Sequence, residues 1–357
     1  MTVLAMDSQS WIQSNAGLGT DNVTRYDTGH TGVVNENPVP LFPGTYFMSF
    51  DSGEELRHDI GDHTGGGIFF VGFFFRVKEF PIGGARIISI FDSSGSNRQM
   101  YLFVTEFGKI QLADSANAII ATATRRIVPD AWYHFELKFA IKNSIAADDV
   151  ILKIDGEEHI NLPATTDTQS QPTDSVQFIE LAGSNPIADL NFSHFWILDD
   201  NGSFANDFIG PTGRIELLHP VGNGNYSQFV GSDGNSVNNF ELVDELDPDD
   251  DTTYVESSVV SERDSYMLTN LAGTPLAGNI EAVQLITKAK KEGGTEPRTA
   301  KHFVRISSTD FDQGSGKSLT DGAYTWFFDI MADNPNTAAR WTATQVDALE
   351  VGVKIES

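Results

Sequence analysis

The chain has 357 residues, 40% of them hydrophobic and 11% aromatic, with 25 phenylalanines. That is the composition of a folded protein rich in strand-favouring side chains, and the length exceeds what one core usually needs. A formal net charge of −27 leaves no basic stripe for nucleic acid, and the absence of cysteine excludes disulfides, thiolate metal sites and cysteine nucleophiles.

The first residues, Met1 to Asp7, carry neither a basic leader nor a long apolar run, so no secretory signal is expected. Residues 1–44 are rich in Gly, Asn, Thr and Pro without helical period, and read as an N-terminal arm or irregular lead-in. Strand signals begin at Thr45–Phe50. The strongest is Gly67–Val77, in which both parities are apolar: Ile68, Phe70 and Phe74 on one side, Phe69, Val71, Phe73 and Phe75 on the other. Such a strand needs cover on both faces: the core on one, and a loop, a second domain or a partner subunit on the other. The run Ile68–Phe75 is too short to cross a bilayer as a helix, and no membrane partner is expected.

Short strands are then predicted at Arg86–Phe91, Gln99–Thr105, Lys109–Leu112, Ala118–Ala123, Trp132–Ala140, Val150–Ile154, Glu158–Leu162, Ser175–Leu181 and Asn191–Leu198. Turn residues separate them, and Asp155-Gly156 is a good hairpin signal. Many brief strands with regular turns predict a sandwich or barrel over 45–210. A second series follows in 211–357: Gly213–Leu218, Phe240–Val243, Thr253–Glu256, Ile280–Lys288, Lys301–Ser307, Tyr324–Ala332 and Val351–Ile355. One short helix is expected at Trp341–Leu349, with Thr342 and Gln345 spaced as a capping box.

The stretch Trp132-Tyr-His-Phe-Glu-Leu-Lys-Phe-Ala-Ile-Lys142, followed by Val150-Ile-Leu-Lys-Ile-Asp-Gly156, resembles the concanavalin A/laminin G-like superfamily over roughly 45–200. The resemblance implies a jelly-roll sandwich. The later part, with Phe195-Trp-Ile-Leu-Asp-Asp-Asn-Gly202, Asn206-Asp-Phe-Ile-Gly210, Leu218–Gly224, Asp251–Glu256 and Trp341–Val353, resembles virion proteins of tailed bacteriophages. That resemblance implies a place in a particle assembled in the host cytoplasm, with other virion proteins and copies of this chain as partners.

Candidate chemistry is sparse. A glucanase of this fold needs carboxylates at i and i+2 on one strand face, usually Glu-x-Asp-x-Glu; no such triplet occurs. There is no Gly-x-Ser-x-Gly elbow, and the eight histidines form no ligand pair. His58 and His63 flank Asp59 and Asp62, a weak metal-cluster candidate whose alternative reading is a polar turn before the Phe-rich strand. Calcium is the one cofactor for which candidates exist. Asp247, Asp249 and Asp251 imitate the first ligands of a calcium loop, but Pro248 intervenes and no glycine makes the sharp turn. Asp199, Asp200 and Asp207 follow the last predicted sandwich strand and form a second set. Trp132 and Trp196 read as core, while Trp11, Tyr101 and Tyr226 are ungrouped aromatics. The expectation is a mostly-β, non-enzymatic structural protein acting by subunit packing. Its rival is an adhesin recognising host surface glycan.

Overall fold

A computed structural model describes residues 3–7, 28–29, 34–36, 47–50, 55–170, 173–182, 189–202, 206–245, 248–271 and 279–357. The chain divides into two compact units, Met1–Ile215 and Glu216–Ser357.

In the first unit the strands are β1 (Val3–Asp7), β2 (Thr28–Gly29), β3 (Val34–Glu36), β4 (Phe47–Phe50), β5 (Leu56–His63), β6 (Ile68–Val77), β7 (Ala85–Phe91) and β8 (Arg98–Val104). They continue with β9 (Lys109–Asp114), β10 (Ile119–Arg126), β11 (Tyr133–Ala140), β12 (Ile151–Ile154), β13 (Glu157–Asn161), β14 (Val176–Leu181) and β15 (Leu190–Asp199). Two antiparallel sheets form a β-sandwich. One runs β13-β12-β11-β6-β15-β4-β3 with β1 also on β15; the other runs β10-β9-β8-β7-β14-β5-β2. Residues 1–44 therefore contribute β1, β2 and β3 to these sheets.

Strand β6 sits centrally because both its faces are apolar. Its odd residues pair with the odd residues of β11, Phe69 with Phe139, Val71 with Leu137 and Phe73 with Phe135, so one parity becomes a continuous aromatic layer. Phe73 and Phe135 stack with ring centroids 5.7 Å apart. From the other sheet Ile88, Ile90, Met100, Leu102, Val104, Ile110 and Leu112 are fully buried. The Asp155-Gly156 signal is met by a two-residue turn joining β12 to β13, with φ of +53° and +85°.

The even face of β6 is covered by the same unit. Phe208 meets Phe70 edge-on at 5.4 Å, Gly213 lies against the Trp196 ring, and Pro211 lies against the β12–β13 turn. Phe70, Phe74 and Trp196 are consequently buried. Strand β15 supplies Trp196 and Leu198 to this outer face and Phe192 and Ile197 to the core. A bulge between Ser193 and Trp196, with His194 at φ +50°, switches the parity midway.

In the second unit the elements are β16 (Pro220–Ser227), β17 (Val230–Gly231), a 3₁₀ turn (Asn239–Leu242), β18 (Val255–Glu256), β19 (Arg263–Leu268), β20 (Val283–Ala289) and β21 (Thr299–Ile306). They end with β22 (Thr309–Asp312), β23 (Lys317–Ser318), β24 (Thr325–Met331), α1 (Ala343–Asp347) and β25 (Glu350–Ile355). The main sheet runs β16-β19-β25-β21-β22, with β23 on β21, and β20 pairs with β24 as a separate ribbon. The core joins Leu285, Val304, Ile306, Met331, Trp341, Val346 and Leu349. Thr342 and Gln345 form the expected capping box at the start of α1.

Three expectations are corrected. Gly213–Leu218 is not a strand; its apolar residues are half-buried in extended chain. Phe240–Val243 lies mostly in the 3₁₀ turn, anchored by the buried Asn239 side chain, whose amide donates to the Phe229 carbonyl and to Asp264. The segment His58–His63, read as a polar turn, belongs to β5, because its polar side chains face outward or reach neighbours while Leu56 and Ile60 are buried.

Candidate functional site

The outer face of the seven-stranded sheet collects polar and aromatic side chains from strands far apart in sequence. Register fixes three rows. The first runs Arg57 on β5, Glu180 on β14, Ser89 on β7, Tyr101 on β8 and Ala113 on β9. The second runs Asp59, Phe178, Phe91 and Arg98. The third runs Arg86, Phe103, Gln111 and Thr122. Ser89, Tyr101 and Glu180 are buried and form the floor, while Arg57, Arg86, Arg98, Phe103, Gln111 and Phe178 are half-buried above it.

Guanidinium groups organise this face. Arg57 bonds the Glu180 carboxylate at 2.6 Å and the Gly95 carbonyl at 2.7 Å, and lies 4.2 Å over the Phe91 ring. Arg98 lies 4.4 Å over Tyr101, and Arg86 5.5 Å from the same ring. The Asn117 side-chain oxygen accepts from both Arg98, at 2.7 Å, and the Tyr101 hydroxyl, at 3.2 Å. Burial pushes the Glu180 carboxyl up, with the Arg57 hydrogen bond opposing it. Burial, and then the nearby charge of Arg86, hold the Arg98 guanidinium below its usual value. Three buried polar atoms of this face, Ser89 Oγ, Arg57 Nε and Arg98 Nε, have no hydrogen-bond partner. A face with rings covered by guanidinium groups, forked donors, a carboxylate and unmet polar capacity is chemically equipped to hold a polar ligand that has flat or apolar patches.

Among the described residues, each sequence-predicted calcium residue has its own surroundings. Asp199 is buried at the end of β15 and accepts from the backbone and side chain of Asn201, at 3.1 and 2.9 Å. Asp200 is exposed, and Asp207, also exposed, accepts from the Phe208 amide at 2.8 Å. Asp247 lies outside the described residues. Asp249 accepts from the Thr253 amide and hydroxyl, at 3.0 and 2.8 Å. Asp251 is taken by Lys290 at 2.6 Å and Tyr324 at 3.1 Å. Lys288 of β20 pairs with Asp250 at 2.5 Å, so it and Lys290, just past that strand, meet the charge of this acidic loop. Among the described residues no group of three or more His, Asp or Glu side chains is arranged to hold a metal.

Of the ungrouped aromatics, Trp11 lies outside the described residues. Tyr101 is the centre of the face just described. Tyr226 belongs to a cluster in the second unit, where its hydroxyl donates to Asp310 at 2.7 Å and its ring stands between Arg263 and Arg305, at 5.4 and 5.7 Å. Asp310 bonds both guanidinium groups at 2.5 Å. Trp196 is buried as expected for a core residue, whereas Trp132 is half-buried beneath Arg76. The arginines of the sheet face were invisible as a group because they come from separate strands with no common motif.

No family model and no curated protein matches the chain. Among solved structures, similarity is found to a Trypanosoma rangeli sialidase complex, at 10% identity and a TM-score of 0.35, covering 54% of this chain and 29% of that one. Domain 4 of AbnA, a GH43 extracellular arabinanase from Geobacillus stearothermophilus in complex with arabinotriose, gives 12% identity and 0.37, covering 55% and 92%. Carbohydrate binding module CBM66 from Bacillus subtilis gives 12% and 0.31, covering 46% and 90%. Scores this low transfer neither ligand nor activity to this chain.

Proposed function

We propose that the chain is a non-catalytic recognition protein that binds glycan on the outer face of its seven-stranded sheet, as an adhesin of a tailed-phage particle would bind a host surface. The observation carrying this reading is the row Arg57–Glu180–Ser89–Tyr101, flanked by Arg86 and Arg98. It places forked donors, an acceptor and rings faced by guanidinium groups on one side of a sheet. Saccharides offer vicinal hydroxyls to such donors and acceptors and C–H faces to the half-buried rings of Phe103 and Phe178. The phage setting comes from the sequence resemblance of residues 192–357.

A purely structural role by subunit packing drew its support from the two-faced strand Ile68–Phe75 and from the N-terminal arm, residues 1–44. Residues 206–213 cover its second face within the same unit, so that face needs no partner subunit. A glycan array probed with the intact chain tests the reading. Reproducible binding of at least one glycan class, lost in Tyr101→Ala, is expected. An array on which nothing binds defeats it.

A further inference from the structure

The two units hold a similar small arrangement of a tyrosine and two arginines, with a different acceptor. In the second unit, the Tyr226 ring stands between Arg263 and Arg305, and the Asp310 carboxylate bonds both guanidinium groups and the tyrosine hydroxyl. In the first unit, the Tyr101 ring stands between Arg86 and Arg98, but the group that accepts from Arg98 and from the tyrosine hydroxyl is the neutral amide of Asn117. Among the described residues Arg98 hydrogen-bonds only that neutral oxygen and faces a ring, with Glu180 acting on it only through space, so an arriving anion would be a stronger, charge-assisted partner. Arg98 Nε, and beside it Ser89 Oγ and Arg57 Nε, are buried without hydrogen-bond partners. Glu180 is the carboxylate in the central row, and Arg57 already holds it at 2.6 Å.

Resting on the glycan reading above, we propose that the ligand of this face is an acidic saccharide, whose carboxylate or sulfate docks on Arg98 beside Tyr101 and supplies the negative charge that Asp310 supplies in the second unit. The chain has 50 acidic and 23 basic residues, so its general field repels anions. Binding an acidic glycan therefore requires a local cationic site of this kind, and salt will weaken it.

The decisive variant is Asn117→Asp, which supplies the carboxylate from within. Asn117 sits in the exposed β9–β10 turn at φ +64°, a conformation aspartate tolerates and glycine favours. Calorimetric titration of the intact chain is run with an oligogalacturonate, a sulfated galactan oligosaccharide and a neutral galacto-oligosaccharide of equal length. Expected is binding of the uronate, the sulfated sugar or both, the difference between them naming the anion. Binding should weaken roughly tenfold to a hundredfold in Asn117→Asp and in Arg98→Gln. Circular dichroism and thermal melting confirm that each variant folds. If the neutral sugar binds as well as the acidic ones and Asn117→Asp has no effect, the acidic-ligand inference falls while the glycan reading stands. If none of the three binds and the array is also blank, both fall.

Discussion

The carboxylate of Glu136 accepts from the backbone amide of Gly210 through both its oxygens, at 3.1 Å each, and from the Ile209 amide at 2.7 Å. This ties the covering segment 206–213 to the even face of β11, two residues from His134. His134 lies in the same layer, stacked on Trp196 at 5.5 Å, with neither ring nitrogen hydrogen-bonded. Burial moves the two groups in opposite directions. It raises Glu136 from 4.5 to about 7, against its amide partners, and lowers His134 from 6.5 to about 4.

The pH dependence follows from the signs. Between pH 4.5 and 7 folded Glu136 keeps a proton the unfolded chain has lost, so its contribution is largest at low pH and disappears as pH rises. Between 4 and 6.5 folded His134 lacks a proton the unfolded chain holds, so its contribution is full above 6.5 and disappears as pH falls. Each leg amounts to roughly 3 kcal/mol, and over their common window the two cancel. Denaturant titrations of wild type, Glu136→Gln and His134→Leu at a series of pH values check this. Relative to wild type, Glu136→Gln should gain stability as pH rises from 4.5 to 7, and His134→Leu should gain it as pH falls from 6.5 to 4. Parallel profiles for all three would contradict the account.

Phe208 is the aromatic anchor of the covering segment, with its ring against Phe70 and the Lys153 ammonium 3.7 Å from its centroid. Phe208→Ala removes half-buried aromatic area and should cost about 2 kcal/mol. It should also expose Phe70 and Trp196 to solvent. A dye that reports exposed apolar surface should bind the variant and not the wild type, and the variant should self-associate. A variant as stable and as monodisperse as wild type would mean that the cover lies elsewhere.

Gly72 is the one position on the even face of β6 where a side chain has no room. The Trp196 indole lies across it from β15, and an added Cβ would overlap the ring. Gly72→Ala should therefore lose about 1–3 kcal/mol in equilibrium unfolding, with a shifted tryptophan emission. A mild effect with unchanged fluorescence would mean that β15 slides at little cost.

Parity made much of the first unit readable from sequence. The all-apolar β6, the Phe135/Leu137/Phe139 face and the Asp155-Gly156 hairpin each combine local preference with local pattern. Where burial depends on a distant hydrogen bond, the pattern vanished. Strand β19, Arg-Asp-Ser-Tyr-Met-Leu, shows no apolar alternation. Asp264 and Ser265 are both buried, the first accepting from Asn239 and Tyr266, the second donating to Glu350. The Gly/Asn-rich edge strand β16 was missed for a related reason. Its buried contacts are polar, as in the Asn225 side chain donating to Glu350 at 2.5 Å. The bulge at His194 hid the switch of facing residues along β15. The candidate binding face was illegible for a geometric reason, since Arg57, Ser89, Arg98 and Glu180 become neighbours only through strand register.

The second unit offers the reciprocal of the Asn117 experiment. Asp310 joins Tyr226, Arg263 and Arg305, so Asp310→Asn leaves two half-buried guanidinium groups against a neutral amide, close to the condition of Arg98 in the first unit, with Glu350 still 4.0 Å from Arg305. Removing one partner of such a cluster should cost about 1–2 kcal/mol, less than for a fully buried pair because these groups retain contact with water. If a carboxylate is what two arginines around a tyrosine require, an added anion should return part of the loss. Sulfate and acetate, compared with chloride at equal ionic strength, should raise the melting temperature of Asp310→Asn more than that of wild type. The same increments in both proteins would show that the guanidinium groups are satisfied by solvent. The parallel between Asp310 and Asn117 would then lose its physical basis.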